Sequence, residues 1–195
     1  MLVSAQDNSG FYKNQIKISP FRIIDFTNTG IEISYERMYS EKFSTQLSYS
    51  FGKDIFGMFP FHNFRGYRFS IEQKYFFGST DEYRKYVSVD LFWNNNKYVD
   101  ETPYRDSMGG YSKKEQFLIR RKIFSANLKY GKQVLFNHFI IDMCIGAGIR
   151  WRNITTYNVH PIYRQKGIDL MYGLHNPGKM VTFNLPMNIK IGYLF

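Results

Sequence analysis

The side chains with the most potential for chemistry are four histidines and a single cysteine. They are His62, His138, His160, His175 and Cys144. Histidine can transfer protons or bind a metal, and a cysteine thiolate can act as a nucleophile. The histidine spacing matches no metal-ligand motif, and no GxSxG, HExxH, GxGxxG or GKS/GKT sequence is present. We therefore predict no catalytic residue, no bound metal and no cofactor.

The composition excludes several classes of protein. One cysteine in 195 residues cannot form an internal disulfide or a cysteine-rich zinc site. A hydrophobic content of 44% argues against disorder, and no apolar stretch is long enough for a transmembrane helix. The net charge of +10 comes from basic residues spread along the whole chain, which argues against a nucleic-acid groove.

Polar and apolar residues alternate along much of the chain, and this period of two predicts the elements that would position any site. Between Phe43 and Phe51, for example, apolar or aromatic residues alternate with serines and Gln46. This alternation is typical of strands with one apolar and one polar face. We predict eight strands and no convincing amphipathic helix. The strands are expected at residues 14–26, 30–39, 42–52, 64–77, 83–95, 116–130, 135–153 and 183–195.

The predicted connections differ in length at the two ends of the strands. Short turns are expected near 39–41, 78–82 and 131–134. Apart from a brief connection near 27–29, longer loops are expected at 53–63, 96–115 and 154–182. An even strand number with short turns at one end and long loops at the other is typical of outer-membrane β-barrels.

Alternation alone does not say which face of a barrel is inside. An eight-stranded barrel is just wide enough for its own side chains, so the many rings on the apolar faces would overfill it. Placed outside, the same rings can contact lipid. We therefore predict an all-β fold, an eight-stranded antiparallel up-and-down transmembrane β-barrel. The rings in question are Tyr67, Phe69, Tyr75, Trp93, Phe124, Tyr130, Phe139, Trp151, Tyr193 and Phe195.

The polar faces carry charges of both signs, which suits a narrow lumen in which buried charges need partners. Asp142 and Arg150 are expected to form ion pairs with neighbours such as Arg68 or Lys190, and Cys144 to fill space in the lumen. A solvated face of a soluble sandwich would also carry mixed charge. The predicted lumen charge network is Glu32, Glu36, Arg68, Glu72, Lys74, Asp90, Asp142, Arg150 and Lys190. The same faces also carry Lys17, Arg121, Lys129 and Arg152.

The two termini suggest export and assembly. Small residues at Val3 and Ala5 resemble the end of a signal peptide, so residues 1–13 are interpreted as a signal-peptide remnant or a flexible N-terminal segment. Residues 14–195 are then a single transmembrane barrel. The last strand resembles the C-terminal assembly signal of outer-membrane proteins. That signal would consist of Ile189, Ile191, Tyr193 and Phe195.

Three segments carry a family resemblance: 13–20, 30–37 and 142–150. With the strand pattern, they make the chain similar to small OmpA/OmpX-type barrels, and to a Bacteroidota outer-membrane barrel family of unknown function. The resemblance implies a bacterial outer-membrane location with both termini periplasmic. The expected partners are membrane lipid, lipopolysaccharide, the outer-membrane insertion machinery and a larger outer-membrane complex, and not nucleic acid.

The resemblance implies no activity. From the filled lumen and the missing catalytic motifs, we expect a structural or accessory binding role, exerted through the rim and the outer loops. Aromatic and basic residues in 53–63 and 154–182 could contact polysaccharide, lipopolysaccharide phosphates or a partner protein. One alternative is a lipid A- or lipid-modifying enzyme, although no histidine is followed by Ser two positions later. A second alternative is a soluble basic β-barrel that binds nucleic acid or a lipid-like ligand.

Overall fold

The described part of the chain consists of strands joined by short turns. The computed structural model describes residues 13–20, 30–53, 62–80, 82–105, 112–157 and 177–195. No helix in these ranges is both long and apolar enough to cross a membrane. The strand segments are β1 (Asn14–Ser19), β2 (Ile31–Met38), β3 (Phe43–Lys53), β4 (His62–Ser79), β5 (Tyr83–Arg105), β6 (Ser112–Phe136), β7 (Phe139–Tyr157), β8 (Gly178–Asn184) and β9 (Met187–Leu194).

These segments form one closed antiparallel sheet. Each of β1 to β7 pairs with the next in sequence, and β7 then pairs with both β8 and β9. The circle is completed where β1 pairs with β9, from Gln15 opposite Leu194 to Ile18 opposite Ile191. Within the described residues this closure consists of four residue pairs between β1 and β9, and β8 is paired on one side only, with β7. The predicted all-β, eight-stranded antiparallel fold is confirmed.

The segments β8 and β9 together form the eighth strand of the barrel. Their register against β7 does not change across the gap, since Gly148 faces Asn184 before it and Ile145 faces Met187 after it. Pro186 lies in the gap and has no N–H to donate, although its carbonyl still accepts a hydrogen bond from Gly146 N at 2.9 Å. The proline therefore interrupts the strand locally without shifting it.

Several strands are longer than predicted at the end with the long loops, whereas residues 21–26 of the expected first strand and the expected connection 27–29 lie outside the described residues. Most of the expected loop 96–115 belongs to β5 and β6, which pair without a break from Tyr83 to Arg105. The expected loops 53–63 and 154–182 likewise lose residues to strands at both margins. What is left of these three connections, 54–61, 106–111 and 158–176, lies outside the described residues, as do His160 and His175.

One turn lies elsewhere than predicted. Residues 131–134 are part of β6, and the chain reverses at Asn137 and His138 instead. Asn137 adopts a φ of 50°, a left-handed conformation that asparagine tolerates better than most residues. The two-residue turn places Phe136 opposite Phe139.

Candidate functional site

The barrel has a polar interior and an apolar exterior. Side chains such as Gln15, Lys17 and Glu36 point inward and are fully buried, whereas Ile16 and Ile18 between them are about half exposed. The ten rings predicted to face outward do so, each with an exposed fraction between 40% and 59%. The prediction of an inverted barrel orientation is confirmed for the described strands.

The outer surface is organised in rows that follow the strand register. Two rows rich in aromatic rings are separated by two rows of mainly aliphatic side chains. One aromatic row runs through Tyr49, Phe69, Trp93, Phe124 and Trp151, and the other includes Phe43, Tyr75 and Tyr130. The aliphatic rows include Leu47, Ile71, Leu91, Ile149, Val89, Leu128 and Leu185.

The two aromatic rows border an aliphatic band on the outer surface. Trp93 and Val87, which lie in the two aromatic rows, are six residues apart on β5, or roughly 20 Å at about 3.3 Å per residue. The next row beyond the Trp93 row is largely polar and contains Lys122, Asn153 and Lys179. An aliphatic band between aromatic girdles is characteristic of barrels that face lipid.

The tightest cluster in the lumen contains two lysines and two carboxylates, here called the four-charge cluster. Lys17 contacts both Glu36 and Asp142 at 2.5 Å, and Lys74 contacts the same two carboxylates at 2.8 and 2.7 Å. All four side chains are at most 3% exposed. Because cations and anions alternate in this ring, each charge has two opposite partners, which offsets the cost of removing it from water.

Neutral side chains satisfy the remaining oxygens of the four-charge cluster. Ser44 donates to Glu36 at 2.6 Å, Tyr86 donates to Asp142 at 2.6 Å, and Gln133 donates to both carboxylates at 3.2 to 3.4 Å. These contacts link β2, β3, β5, β6 and β7 across the lumen. The cluster therefore works as an internal cross-brace of the barrel.

Two further charge clusters lie in the lumen outside the four-charge cluster. Lys129 contacts Asp90 at 3.1 Å and Glu72 at 3.4 Å, and Asn127 donates to Asp90. Lys190 contacts Glu32 at 2.8 Å. The guanidinium of Arg68 lies 3.6 Å above the ring of Phe92.

Apolar side chains close the lumen at both ends. At the turn end, Met38, Phe76 and Tyr86 form a buried cluster that also contacts Cys144. At the loop end, Phe64, Tyr98, Ile119 and Ile154 are buried against one another. Among the described residues, side chains thus occupy much of the interior, which also holds a cavity in the middle and a smaller one beside Phe64 and Asn96.

The sequence predicts which charged residues face the lumen, but it does not predict all of their contacts. All nine residues of the predicted network point inward. However, Asp142 contacts Lys17 and Lys74 instead of the expected Arg68 or Lys190, although Lys190 is its direct neighbour in the register. The alternation places Lys17 and Lys129 on the polar faces, but the predicted network does not include them. Tyr86 and Gln133, which donate to the carboxylates, are not among the predicted lumen residues.

Two further candidate residues, Cys144 and His138, pack against other side chains in the described geometry. Cys144 is partly buried and packs against the turn-end apolar cluster, consistent with a filler. His138 lies in the β6–β7 turn, where its ring stacks on Tyr193 with centroids 5.6 Å apart. Within the described ranges, His, Cys, Asp and Glu side chains form no group of three or more that could hold a metal.

Gly131 is needed for the Tyr86 ring to reach Asp142, because a Cβ at this position would overlap that ring. We expect Gly131→Val to lower the free energy of unfolding by about 1–3 kcal/mol through overpacking. Urea unfolding in lipid vesicles, followed by tryptophan fluorescence, measures the change. In a Tyr86→Leu background the same substitution should cost much less. Equal costs in both backgrounds would contradict the ring-to-glycine contact.

The observed arrangement defines a class: a closed, eight-stranded antiparallel β-barrel with a charged, filled lumen and an apolar outer surface. No family model matches the chain, and no curated protein matches it either. Among solved structures, it is similar to the N-terminal β-barrel domain of Pseudomonas aeruginosa OprF. The identity is 16%, the TM-score is 0.45, and 94% of this chain and 98% of that chain are covered. At this level the likeness concerns the fold alone, and the class rests on the strand pairing and burial described above.

Proposed function

We propose that the protein is a bacterial outer-membrane barrel that acts as a structural or accessory binding protein and does not form a wide channel. The observation that carries this proposal is the pairing of an apolar, ring-bordered exterior with a lumen closed by charge clusters and apolar side chains. If the protein were soluble, water would have to cover this apolar outer surface, which is unfavourable. Lipid covers the same surface without that cost.

Closure of the sheet supports the membrane location. Lipid cannot hydrogen-bond to backbone groups, and each unmet group costs several kcal/mol, so strands cross membranes only as closed barrels. The described sheet is closed in this way where β1 pairs with β9, over four residue pairs. On this proposal the start of β1 at Asn14 and the last residue Phe195, which pair at the turn end, lie on the periplasmic side.

The proposed partners follow from the same surfaces. Membrane lipid and lipopolysaccharide would contact the exterior and the rim, and the outer-membrane insertion machinery would recognise β9. On β9, Ile191 and Tyr193 face outward and are about half exposed, as is Phe195 directly after the strand, and Ile189 is partly buried. A larger outer-membrane complex and the Bacteroidota resemblance stay predictions, as does the division into 1–13 and 14–195.

The filled lumen predicts electrical behaviour. When the purified protein is inserted into a planar lipid bilayer, we expect no steady conductance of porin size, because buried ion pairs and two apolar clusters occupy the path. A trimeric porin recorded under the same conditions is the positive control. A stable, porin-sized channel would contradict the proposal.

The membrane location has its own test. Cell fractionation should place the protein in the outer membrane, and the folded protein should migrate differently on a gel with and without heating. Recovery of a folded monomer in buffer without detergent would favour the soluble alternative. The lipid-modifying alternative predicts a change in lipopolysaccharide acylation, which mass analysis of incubated lipopolysaccharide would detect.

A further inference from the structure

Two lysines lie side by side on the outer surface near the turn end of the barrel. Lys85 on β5 is directly opposite Lys132 on β6 in the register. The same row continues to Phe77 on β4 and to Met143 on β7, which are 40% and 39% exposed. Because directly paired residues point to the same side of a sheet, the two lysines face outward together with these apolar neighbours.

Both ammonium groups lie close to one aromatic ring. The Nζ of Lys132 is 4.2 Å from the centroid of the Tyr83 ring, and the Nζ of Lys85 is 5.7 Å from the same centroid. A ring face attracts cations, so Tyr83 holds the two charges at one place on the surface. Like charges directly opposite each other repel, and neither lysine forms an ion pair with a described residue. This lysine pair therefore favours an anion as its counter-charge.

The surface next to the lysine pair, on the side of the aliphatic band, is apolar. It contains Val87 and Tyr130, which are paired in the register and exposed in an aromatic row. The rings of Phe77 and Tyr130 meet across β5, with centroids 6.2 Å apart. On the eighth strand, the outward-facing residues near the turn end are the apolar Ile191 and Tyr193. The positive charge of the pair therefore does not continue in that direction.

We propose that Lys85 and Lys132 bind the phosphate of an anionic phospholipid in the leaflet at the turn end. The phosphate would lie between the two ammonium groups and offset their repulsion, because lysine binds phosphate as a point charge. An acyl chain of the same lipid would lie along Val87 and Tyr130. An anionic phospholipid combines the negative headgroup and the apolar tail that these two neighbouring rows require. The proposal rests on the membrane location proposed above, because the aromatic row must face the bilayer.

A tryptophan next to the lysine pair can report on the bound lipid. The two natural tryptophans are first replaced by Trp93→Phe and Trp151→Phe. Phe77→Trp then places the reporter directly opposite Lys85 in the register. A control reporter, Tyr193→Trp in the same background, lies on the eighth strand, two strands from β6. Gel mobility with and without heating shows that each protein is folded.

The experiment uses the full chain in phosphatidylcholine vesicles that contain either bromine-labelled phosphatidylglycerol or bromine-labelled phosphatidylcholine. At the Phe77→Trp reporter, phosphatidylglycerol should reach half-maximal quenching at about a tenfold lower mole fraction than phosphatidylcholine, because only phosphatidylglycerol has a net negative charge. At the Tyr193→Trp reporter the two lipids should quench alike.

Three double variants identify the headgroup contact at the Phe77→Trp reporter. Lys85→Gln with Lys132→Gln should abolish the preference for phosphatidylglycerol, and it should fold because it removes a repulsion. Lys85→Arg with Lys132→Arg retains both charges and should keep the preference. The matched control, Lys97→Gln with Lys122→Gln, should also keep it, because it removes two exposed lysines from the other end of β5 and β6.

Free phosphate is the other source of the same anionic group. Millimolar inorganic phosphate should leave the preference for phosphatidylglycerol intact, since a free phosphate has no acyl chain to hold it at the aromatic row. Loss of the preference would overturn the lipid site, because the lysine pair would then recognise the phosphate alone.

The other contrary results have distinct meanings. Equal quenching of the Phe77→Trp reporter by both lipids, or a preference that survives Lys85→Gln with Lys132→Gln, would overturn the lipid site and leave the membrane proposal standing. The same preference at the Tyr193→Trp reporter would also overturn it, because the whole basic chain would then attract the lipid. If neither lipid quenched either reporter, the membrane location itself would be contradicted, and the lipid site with it.

Discussion

Asp142→Asn is expected to lower the free energy of unfolding by about 3–5 kcal/mol, the cost typical of removing one member of a buried ion pair. In the native protein Asp142 contacts Lys17 at 2.5 Å and Lys74 at 2.7 Å, and all three side chains are almost completely buried. The substitution leaves two buried lysines facing Glu36 alone. Urea unfolding of the protein in lipid vesicles, monitored by tryptophan fluorescence, gives the change directly.

A second substitution separates this effect from simple loss of packing. Lys17→Met combined with Asp142→Asn removes one charge of each sign and retains the contact between Lys74 and Glu36 at 2.8 Å. The double variant should be more stable than Asp142→Asn alone, because the uncompensated lysine is gone. Arg152→Gln, on the same face of β7, serves as the control and should have little effect. A single variant as stable as this control would contradict the cross-brace role of the four-charge cluster.

Ile71→Arg is expected to destabilise the barrel by about 2–4 kcal/mol, as for an arginine on the lipid face near the bilayer midplane. Ile71 lies in the aliphatic band, between Leu47 and Leu91 in the register, and its side chain is 42% exposed. In a soluble protein an exposed isoleucine could be replaced by arginine at a cost within about 0.5 kcal/mol. The result therefore discriminates between a lipid-facing and a water-facing exterior.

The matched control for this prediction places arginine outside the aliphatic band. Ser40 lies exposed in the β2–β3 turn, so Ser40→Arg should change the unfolding free energy little. Refolding yields in lipid vesicles, together with urea titration of both variants, provide the comparison. Equal stability of the Ile71→Arg and Ser40→Arg proteins would contradict the membrane-facing assignment of the aliphatic band.

The predicted strand limits agree with the structure where polar and apolar residues alternate strictly. They disagree where residues such as asparagine or glycine interrupt the alternation. The expected loop begins at Asn96, a residue type with low strand propensity, yet β5 continues through it because β4 and β6 pair with it on both sides. Gly131 suggested a turn, but it lies within β6, where the missing Cβ leaves room for the ring of Tyr86. In both cases neighbouring strands overrode a local preference.

The sequence by itself determined that the protein is a strand-built barrel, and which side chains face inward and outward, because a period of two fixes the face of every residue on a strand. It could not determine which inward charges meet. Lys17 and Asp142 are 125 residues apart in the chain and come into contact only because β1 and β7 both flank β9 in the closed sheet. Height and angular position around the lumen are set by register and closure, so the four-charge cluster, the two apolar ends and the cavity in the middle of the lumen were decided by the tertiary structure.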